Sequence, residues 1–210
     1  ARVLVFAVDR GELDENALSE IRRTYRSDRS EMIWLPEHVD AFLKVASREM
    51  CQALVLAMHT GQRQGDLRAL PWSSYDGQRI TLRQGKSGRE VSIRATPGLK
   101  AMLDGMEKRG PLVLTTSGGR AWTKRYFADC WQEASEAAGI SGLHFHDLRG
   151  TAVTMLAEAG CTVPEIAAVT GHAQTHAQAI LDKYLARTRH LADAAIFKLE
   201  QHPRMRGTAP

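Results

Sequence analysis

The sequence lacks long apolar runs and has few cysteines. No apolar stretch approaches the roughly 20 residues of a membrane-spanning helix, so we expect no membrane segment. The cysteines Cys51, Cys130 and Cys161 lie far apart and form no Cys-x-x-Cys pair. An odd, scattered set of this kind is typical of reduced thiols and predicts a cytoplasmic protein. Internal repeats and low-complexity tracts are also missing.

Charge of one sign does not dominate either. The chain has 210 residues, with 28 basic against 24 acidic side chains and a net charge of +4. This balance permits binding to nucleic acid without requiring it. With 43% hydrophobic and 25% charged residues, the composition is that of an ordinary soluble globular protein. The chain begins at Ala1 with apolar residues that need a partner surface, so we expect it to be a piece of a longer protein.

Hydrophobic spacing predicts a mainly α-helical chain with a small antiparallel β-sheet, an α+β class. The predicted helices cover residues 36–46, 48–59, 64–70, 97–109, 123–138, 147–159, 164–169, 175–185 and 191–199. Two strands, 79–84 and 90–94, are joined by a Gly-Lys-Ser-Gly hairpin turn, and 72–75 is a candidate third strand. The first thirty residues are predicted to be the end of one helix, a turn and a short second helix.

The stretch 142–151, GLHFHDLRGT, concentrates polar side chains just before a helix. His146 and Arg149 are three residues apart and share a face near the N-terminus of that helix, where free backbone N–H groups attract anions. An imidazole beside a guanidinium fork can hold a phosphate. Taken alone, the stretch is equally consistent with an N-terminal cap followed by an exposed arginine.

Four residues that are far apart in the sequence could act on the same chemical group of a ligand. Arg63 follows a glycine-ended helix, and Asp66, three residues later, could hold its guanidinium. Lys86 lies at the hairpin tip, from which an ammonium group can give a proton to a leaving oxygen. His172 ends a short helix, and Tyr184 lies on the next one. Each also has a plain interpretation as a surface ion pair, a solvated lysine or a packed aromatic ring.

In this order, the parts resemble the catalytic domain of the tyrosine recombinases, the phage integrase family. The resemblance runs from about residue 31 to about residue 200, and its most specific strings are Thr-Gly-x-Arg-x-x-Asp-Leu and His-Asp-Leu-Arg-x-Thr. It implies a catalytic domain at 31–210, preceded at 1–30 by the tail of a core-binding domain and a linker. The gap from His172 to Tyr184 is a few residues longer than the commonest spacing in the family.

The resemblance also implies a role for each residue. The side chains expected to bind the scissile phosphate are Arg63, His146, Arg149 and His172. Lys86 is expected to protonate the leaving 5′ oxygen, and Tyr184 to attack phosphorus and form a 3′-phosphotyrosyl ester. This ester conserves the bond energy for rejoining, so no metal or ATP cofactor is expected. Either histidine is a candidate for accepting the tyrosine proton.

The partners implied are double-stranded DNA with a specific recombination site and further copies of the chain. We expect a tetramer on DNA, weak association without DNA, and accessory DNA-bending proteins. The residues expected to contact the DNA backbone are Arg22, Arg23, Arg26, Lys124 and Arg125. The C-terminal helix, 191–199, is expected to dock on a neighbouring copy, with packing on its own domain as the alternative.

Three other functions fit parts of the sequence. His144, His146 and Asp147, with His172 and His176, could be the ligands of a metal-dependent hydrolase. This interpretation leaves Arg63, Lys86 and Tyr184 without roles. A type IB topoisomerase-like enzyme, which relaxes DNA, would use the same chemistry as a recombinase. A catalytically silent DNA-binding module would keep the fold, but every polar position of the motif set is filled here.

Overall fold

The computed structural model describes residues 2–17, 29, 32–185 and 190–201. Within these residues, the chain forms ten α-helices and one two-stranded antiparallel sheet, which confirms the predicted α+β class. The helices are α1 (Arg2–Asp9), α2 (Pro36–Val45), α3 (Arg48–Thr60), α4 (Gln64–Arg68), α5 (Pro97–Asp104), α6 (Lys124–Ala137), α7 (Leu148–Glu158), α8 (Val163–Thr170), α9 (Gln174–Leu185) and α10 (His190–Glu200). No described helix is long and apolar enough to cross a bilayer.

Helices α3 and α7 pack against each other at the centre of the molecule. α3 begins where the side chain of Ser47 accepts a hydrogen bond from the Met50 N–H, which satisfies one free donor of the first turn. Leu54 and Leu56 of α3 are fully buried, as are Leu148 and Val153 of α7. The first turn of α7, which carries part of the predicted site, is therefore fixed by the core.

Aromatic rings hold the turn that precedes α7. Phe145 lies in a 3₁₀ turn, Phe145–Asp147, and its ring centroid is 4.7 Å from that of Trp131 and 5.2 Å from that of Phe127, both edge to face. Phe42 packs 4.5 Å from Trp131 on the other side. The apolar cluster thus anchors the backbone on both sides of His146.

The strands β1 (Arg79–Arg83) and β2 (Glu90–Arg94) form the hairpin that the sequence predicts. Ile80 pairs with Ile93 and Leu82 with Val91, and all four side chains face the core. The alternating residues face solvent. This register leaves the hairpin loop, residues 84–89, at the edge of the molecule nearest to α4 and α8.

Two predicted elements differ from the structure. The helix predicted at 97–109 ends at Asp104, because the chain turns at Gly105. The candidate strand at 72–75 is instead a 3₁₀ turn, Trp72–Ser74, whose flanking residue Tyr75 makes an isolated bridge to Ile80. The aromatic and apolar residues there are fixed by packing under the sheet rather than by a third strand. The predicted short helix of the first thirty residues falls largely outside the described residues.

Candidate active site

Two helix ends meet at the predicted site. α3 ends at Gly61 and α8 at Gly171, both with left-handed backbone (φ +62° and +69°). The approach is close, since a Cβ on Gly61 would lie 2.9 Å from Cγ2 of Thr170. Glycine is required at both ends for this reason and for its backbone conformation. Arg63, two residues after Gly61, and His172, directly after Gly171, are therefore brought to the same part of the molecule.

Arg149, in the first turn of α7, joins both ends. Its Nη1 donates to the carbonyl oxygens of Gly61 and Thr170, the latter at 2.7 Å, and its Nε donates to Nε2 of His172 at 3.0 Å. The residue is only 4% exposed. Burial, together with the nearby charge of Arg63, lowers the pKa of Arg149 to about 10, so it remains charged at neutral pH. Its Nη2 is buried and has no hydrogen-bond partner among the described residues.

His172 is neutral and both its ring nitrogens are used. Nδ1 lies 2.9 Å from Oγ1 of Thr170, whose own proton goes to the carbonyl of Ile166. Nδ1 must therefore carry the hydrogen, and Nε2 accepts from Arg149. Burial, with the charge of Arg149 next, lowers the pKa of His172 to about 3. The structure thus makes His172 a group that orients Arg149.

Arg63 and the hairpin are held together by buried side chains. Nη1 of Arg63 donates to Oε1 of Gln84 at 3.0 Å, and Asp66 lies farther away, at 3.9 Å. Asp66 instead accepts a 2.9 Å hydrogen bond from the backbone N–H of Gly85. Asp66 therefore contacts both Arg63 and the hairpin, instead of supporting Arg63 alone as predicted. Arg63, Asp66 and Lys86 line one surface pocket.

Lys86 and His146 complete the group. Lys86 is exposed at the hairpin tip, and its side chain makes no hydrogen bond to the described residues. His146 is exposed in the 3₁₀ turn. Burial of part of its ring lowers the pKa of His146, the carboxylate of Asp147 opposes this, and the charges of Arg149, Arg63 and Lys86 lower it further. Three cations therefore lie within electrostatic range of one imidazole, as an anion-binding site needs.

Asp147 points away from this group. Its carboxylate, 1% exposed, accepts from Nε of Arg29 at 3.0 Å and from the His144 N–H at 2.7 Å. Asp147 is therefore already neutralised by a guanidinium. The described residues contain no group of three or more His, Cys, Asp or Glu side chains arranged to hold a metal ion. The geometry gives no support to the alternative of a metal site built on His144, His146 and Asp147.

The remaining predicted residues lie elsewhere or outside the described part of the chain. Tyr184 belongs by its backbone to the last turn of α9, but its side chain is outside the described residues. Arg22, Arg23 and Arg26 also lie outside them. Lys124 and Arg125 start α6 and are exposed, with Arg125 only 3.7 Å from Asp129. Contacts of these residues with DNA stay a prediction.

Sequence reasoning missed Gln84, which is fully buried. A signal was present, because Ile80, Leu82 and Gln84 follow one another at a spacing of two residues and so share the buried face of the strand. A polar residue at the end of such a row needs buried hydrogen-bond partners. It also missed Arg29 as a partner of Asp147, since the two are 118 positions apart.

Comparison with known proteins gives consistent matches. The model of the phage integrase family matches residues 34–188. A shufflon-specific DNA recombinase from Escherichia coli is 32% identical over 122 residues, which are 56% of this chain and 30% of that protein. The chain thus spans less than a third of this relative.

Solved structures resemble the chain at the level of the fold. A lambda integrase dimer bound to a COC′ core site has a TM-score of 0.68 at 21% identity, over 85% of this chain and 55% of that one. XerA recombinase has a TM-score of 0.61 at 17% identity, over 95% of this chain and 73% of that one.

Proposed function

Because the chain belongs to the phage integrase family, we propose that it is a site-specific recombinase that cleaves and rejoins DNA strands through a 3′-phosphotyrosyl intermediate. The observation that carries the proposal is that Arg149 binds the carbonyl of Gly61, two residues before Arg63, while Arg63 and Lys86 line one pocket. Nη2 of Arg149, buried and without a hydrogen-bond partner in the described part of the chain, is a donor that a phosphate oxygen would satisfy. The matched recombinase supports the same activity.

In-line attack on a phosphodiester puts growing negative charge on the non-bridging oxygens, so catalysis rests on positioning and charge stabilisation. Two guanidinium groups stay charged at neutral pH and bind such oxygens in forks. Losing one comparable donor costs about 2.7–4 kcal/mol of barrier in other enzymes. Arg149, held rigidly by three acceptors, is preorganised for this role.

The bonds and protons balance with side chains of the chain alone. Oη of Tyr184 bonds to phosphorus while the bond from phosphorus to the 5′ oxygen breaks. Lys86, exposed at the hairpin tip, gives its proton to that oxygen. His146 accepts the tyrosine proton, because its lowered pKa leaves the exposed ring neutral at neutral pH, whereas both nitrogens of His172 are occupied. Rejoining reverses these transfers.

The proposed partners are a specific DNA site and further copies of the chain. The lambda integrase structures that share the fold include a dimer on a core site and a tetramer on a Holliday junction. α10 exposes Ile196, Phe197 and Leu199, an apolar group that a neighbouring copy could cover. We propose weak self-association without DNA and a cytoplasmic location, and a stable tetramer without DNA in sedimentation would contradict the former.

Trapping of the covalent intermediate tests the function. The chain is incubated with labelled duplexes that carry a nick and randomised flanking sequence, so that the short strand released by cleavage diffuses away. The wild type should give a protein–DNA band that survives denaturant. Tyr184→Phe should bind the duplexes but give no band, because a phenyl ring has no nucleophilic oxygen.

Tyr126→Phe is the matched control, since Tyr126 is an exposed tyrosine on α6, and it should keep the band. A band that persists in Tyr184→Phe would assign the nucleophile to another residue. Absence of the band in the wild type, with DNA bound, would favour a catalytically silent DNA-binding module.

A further inference from the structure

Gln84 is the residue through which the parts of the site contact one another. It comes directly after β1, is 0% exposed, and uses every hydrogen-bonding position of its amide. Oε1 accepts from Nη1 of Arg63 at 3.0 Å and from Oγ of Ser87 at 2.7 Å. Nε2 donates to Oε1 of Gln62 at 2.6 Å and to the carbonyl of Thr170 at 2.9 Å.

The orientation of this amide is fixed by its partners. Arg63 can only donate, and the carbonyl of Thr170 can only accept, so a flipped amide would face wrong partners on both sides. Gln62 cannot adapt, because its own Nε2 is already given to the carbonyls of Thr60 and Val169. A flip of Gln84 would therefore leave several buried groups unpaired, which is costly.

The end of α8 is shaped around the same side chain. A Cβ on Gly171 would lie 2.3 Å from Nε2 and 2.6 Å from Cδ of Gln84. Gln84 thus touches the loop that carries His172, the hairpin that carries Lys86, and Arg63 itself. No other described residue is bonded to all three parts of the site through its side chain.

From these contacts, and resting on the proposed function, we infer that Gln84 is a positioning residue that holds the guanidinium of Arg63 in place for the scissile phosphate. Arg63 and Arg149 repel each other when no anion lies between them, so Arg63 needs an acceptor that holds it in place, and Oε1 of Gln84 is one. A neutral amide oxygen orients the guanidinium without neutralising it. A carboxylate would orient it as well, but would compete with the phosphate for the same charge.

The inference is tested with Gln84→Met, which keeps the length of the side chain and removes all four hydrogen bonds. Single-turnover formation of the covalent adduct should slow about 100-fold, the loss expected when a catalytic group is misplaced by about 1 Å. Affinity for the same DNA should change less than about 3-fold, because most binding contacts lie on the DNA backbone elsewhere. Gln132→Met, at an exposed glutamine of α6, is the control and should match the wild type in both.

The route through Arg63 is tested by a double-mutant cycle. In an Arg63→Ala background, Gln84→Met should slow cleavage by less than about 3-fold further, because the group that it positions is already absent. Gln84→Glu should also be slow and show the same coupling, so it replaces the methionine variant if that one does not fold. If the double variant is slowed by the full product of the two single effects, the inference is overturned.

A substrate with sulfur in place of the 5′ bridging oxygen separates Arg63 from Lys86. A thiolate leaves without a proton, so this substrate should restore cleavage by Lys86→Ala. It should not restore cleavage by Gln84→Met, because charge on the non-bridging oxygens still needs Arg63. Restoration would show that Gln84 acts on the hairpin instead, and would overturn the inference.

One readout needs no cleavage. In NMR spectra, the Arg63 guanidinium protons should exchange faster with water in Gln84→Met than in the wild type, and Gln132→Met should leave them unchanged. Unchanged Arg63 signals in Gln84→Met would overturn the inference whatever the enzyme does. If the wild type forms no adduct but Gln84→Met still changes the Arg63 signals as expected, only the proposed function is contradicted.

Discussion

Arg149 carries a positive charge inside the protein, where an isolated ion is costly. Among the described residues, its hydrogen bonds go to the carbonyl oxygens of Gly61 and Thr170 and to a neutral His172, none of which is a carboxylate. Carbonyl groups at helix C-termini carry partial negative charge, which suits a cation. Because these partners hold no full negative charge, the guanidinium keeps its attraction for an anion. Arg149 is thus stabilised by uncharged hydrogen-bond partners and can still bind an anion.

Acid should destabilise the fold through His172. Its pKa is about 3 in the folded chain and near 6.5 in unfolded chains, so the unfolded state takes up the proton first. The free energy of unfolding should therefore fall as the pH drops from about 6.5 towards 3, by up to about 1.4 kcal/mol per pH unit. Above pH 6.5 this residue should have no effect. Urea unfolding of the wild type and His172→Asn at pH 5 and pH 7 measures the difference.

The free energies of unfolding of the wild type and His172→Asn should approach each other as the pH falls. The variant lacks the hydrogen bonds of His172 at every pH, but only the wild type is destabilised by protonation of His172 in the unfolded state. Parallel curves between pH 5 and pH 7 would mean that His172 takes up a proton in the folded state, and the assignment of a neutral ring would be wrong.

The glycines at the two helix ends should be more sensitive than other glycines of the same conformation. Gly139 has φ +70° but open space around its Cβ position, so Gly139→Ala measures the backbone cost alone, about 1–2 kcal/mol. Gly61→Ala and Gly171→Ala add overlap with Thr170 and Gln84, and should each lose about 1–3 kcal/mol more. Thermal or urea unfolding compares the three. Equal losses would mean that the close approach has no energetic weight.

At the scale of elements, local patterns located the helices well and their contacts poorly. The helices predicted at 36–46 and 48–59 are observed as Pro36–Val45 and Arg48–Thr60, because caps and apolar spacing act over a few residues. The hairpin was predicted for the same reason. The bond between Gln84 and Thr170 spans 86 positions and depends on tertiary packing. The order of motifs indicated which polar residues belong together, but only the structure shows how Gln84 and His172 hold the two arginines.

The segment before α2 is bonded to the turn that carries His146. Arg29 binds the carboxylate of Asp147 and the carbonyl of Gly142, and the Trp34 N–H donates to Oγ1 of Thr151. Arg29 is therefore bonded to the turn, and Trp34 to the first part of α7. Displacement of this segment would act directly on the backbone next to His146.

This contact should be strong for an ion pair. In a double-mutant cycle of Arg29→Met and Asp147→Asn, we expect a coupling of about 1–3 kcal/mol in the free energy of unfolding, because the carboxylate is buried and receives two guanidinium hydrogen bonds. The pair Arg125 and Asp129 is the control, with side chains 92% and 57% exposed, and should couple by less than about 0.5 kcal/mol. Similar couplings would show that burial adds nothing here.

For the whole molecule, the modest net charge of +4 makes the placement of charges more important than their sum. Some basic residues are neutralised locally, such as Arg109, which pairs with Glu49 and Glu107. Others, including Lys124, project from the start of α6 without an ion pair among the described residues. Under the proposed function, we expect the second kind to release counterions on DNA binding.

Salt dependence should distinguish the two kinds. The logarithm of the DNA association constant should fall linearly with the logarithm of salt concentration, and Lys124→Ala should reduce that slope by about 1 if the residue neutralises a phosphate. Arg109→Ala should leave the slope unchanged. Filter binding or fluorescence anisotropy at several salt concentrations gives both slopes. An unchanged slope for Lys124→Ala would remove that residue from the DNA interface.

The convergence of α3 and α8 on Arg149 restricts how the gene can vary. Each residue added to a helix rotates the rest of the chain by about 100° and advances it by about 1.5 Å. A single-codon insertion in either helix would therefore turn Arg63 or His172 away from its neighbours, even if the added residue were a harmless alanine. Insertions at Ser117 and Gly118, which are exposed and lie in a loop without any of the described site residues, should disturb this geometry less. In-frame length changes should accordingly accumulate in that loop and be selected against in the two helices.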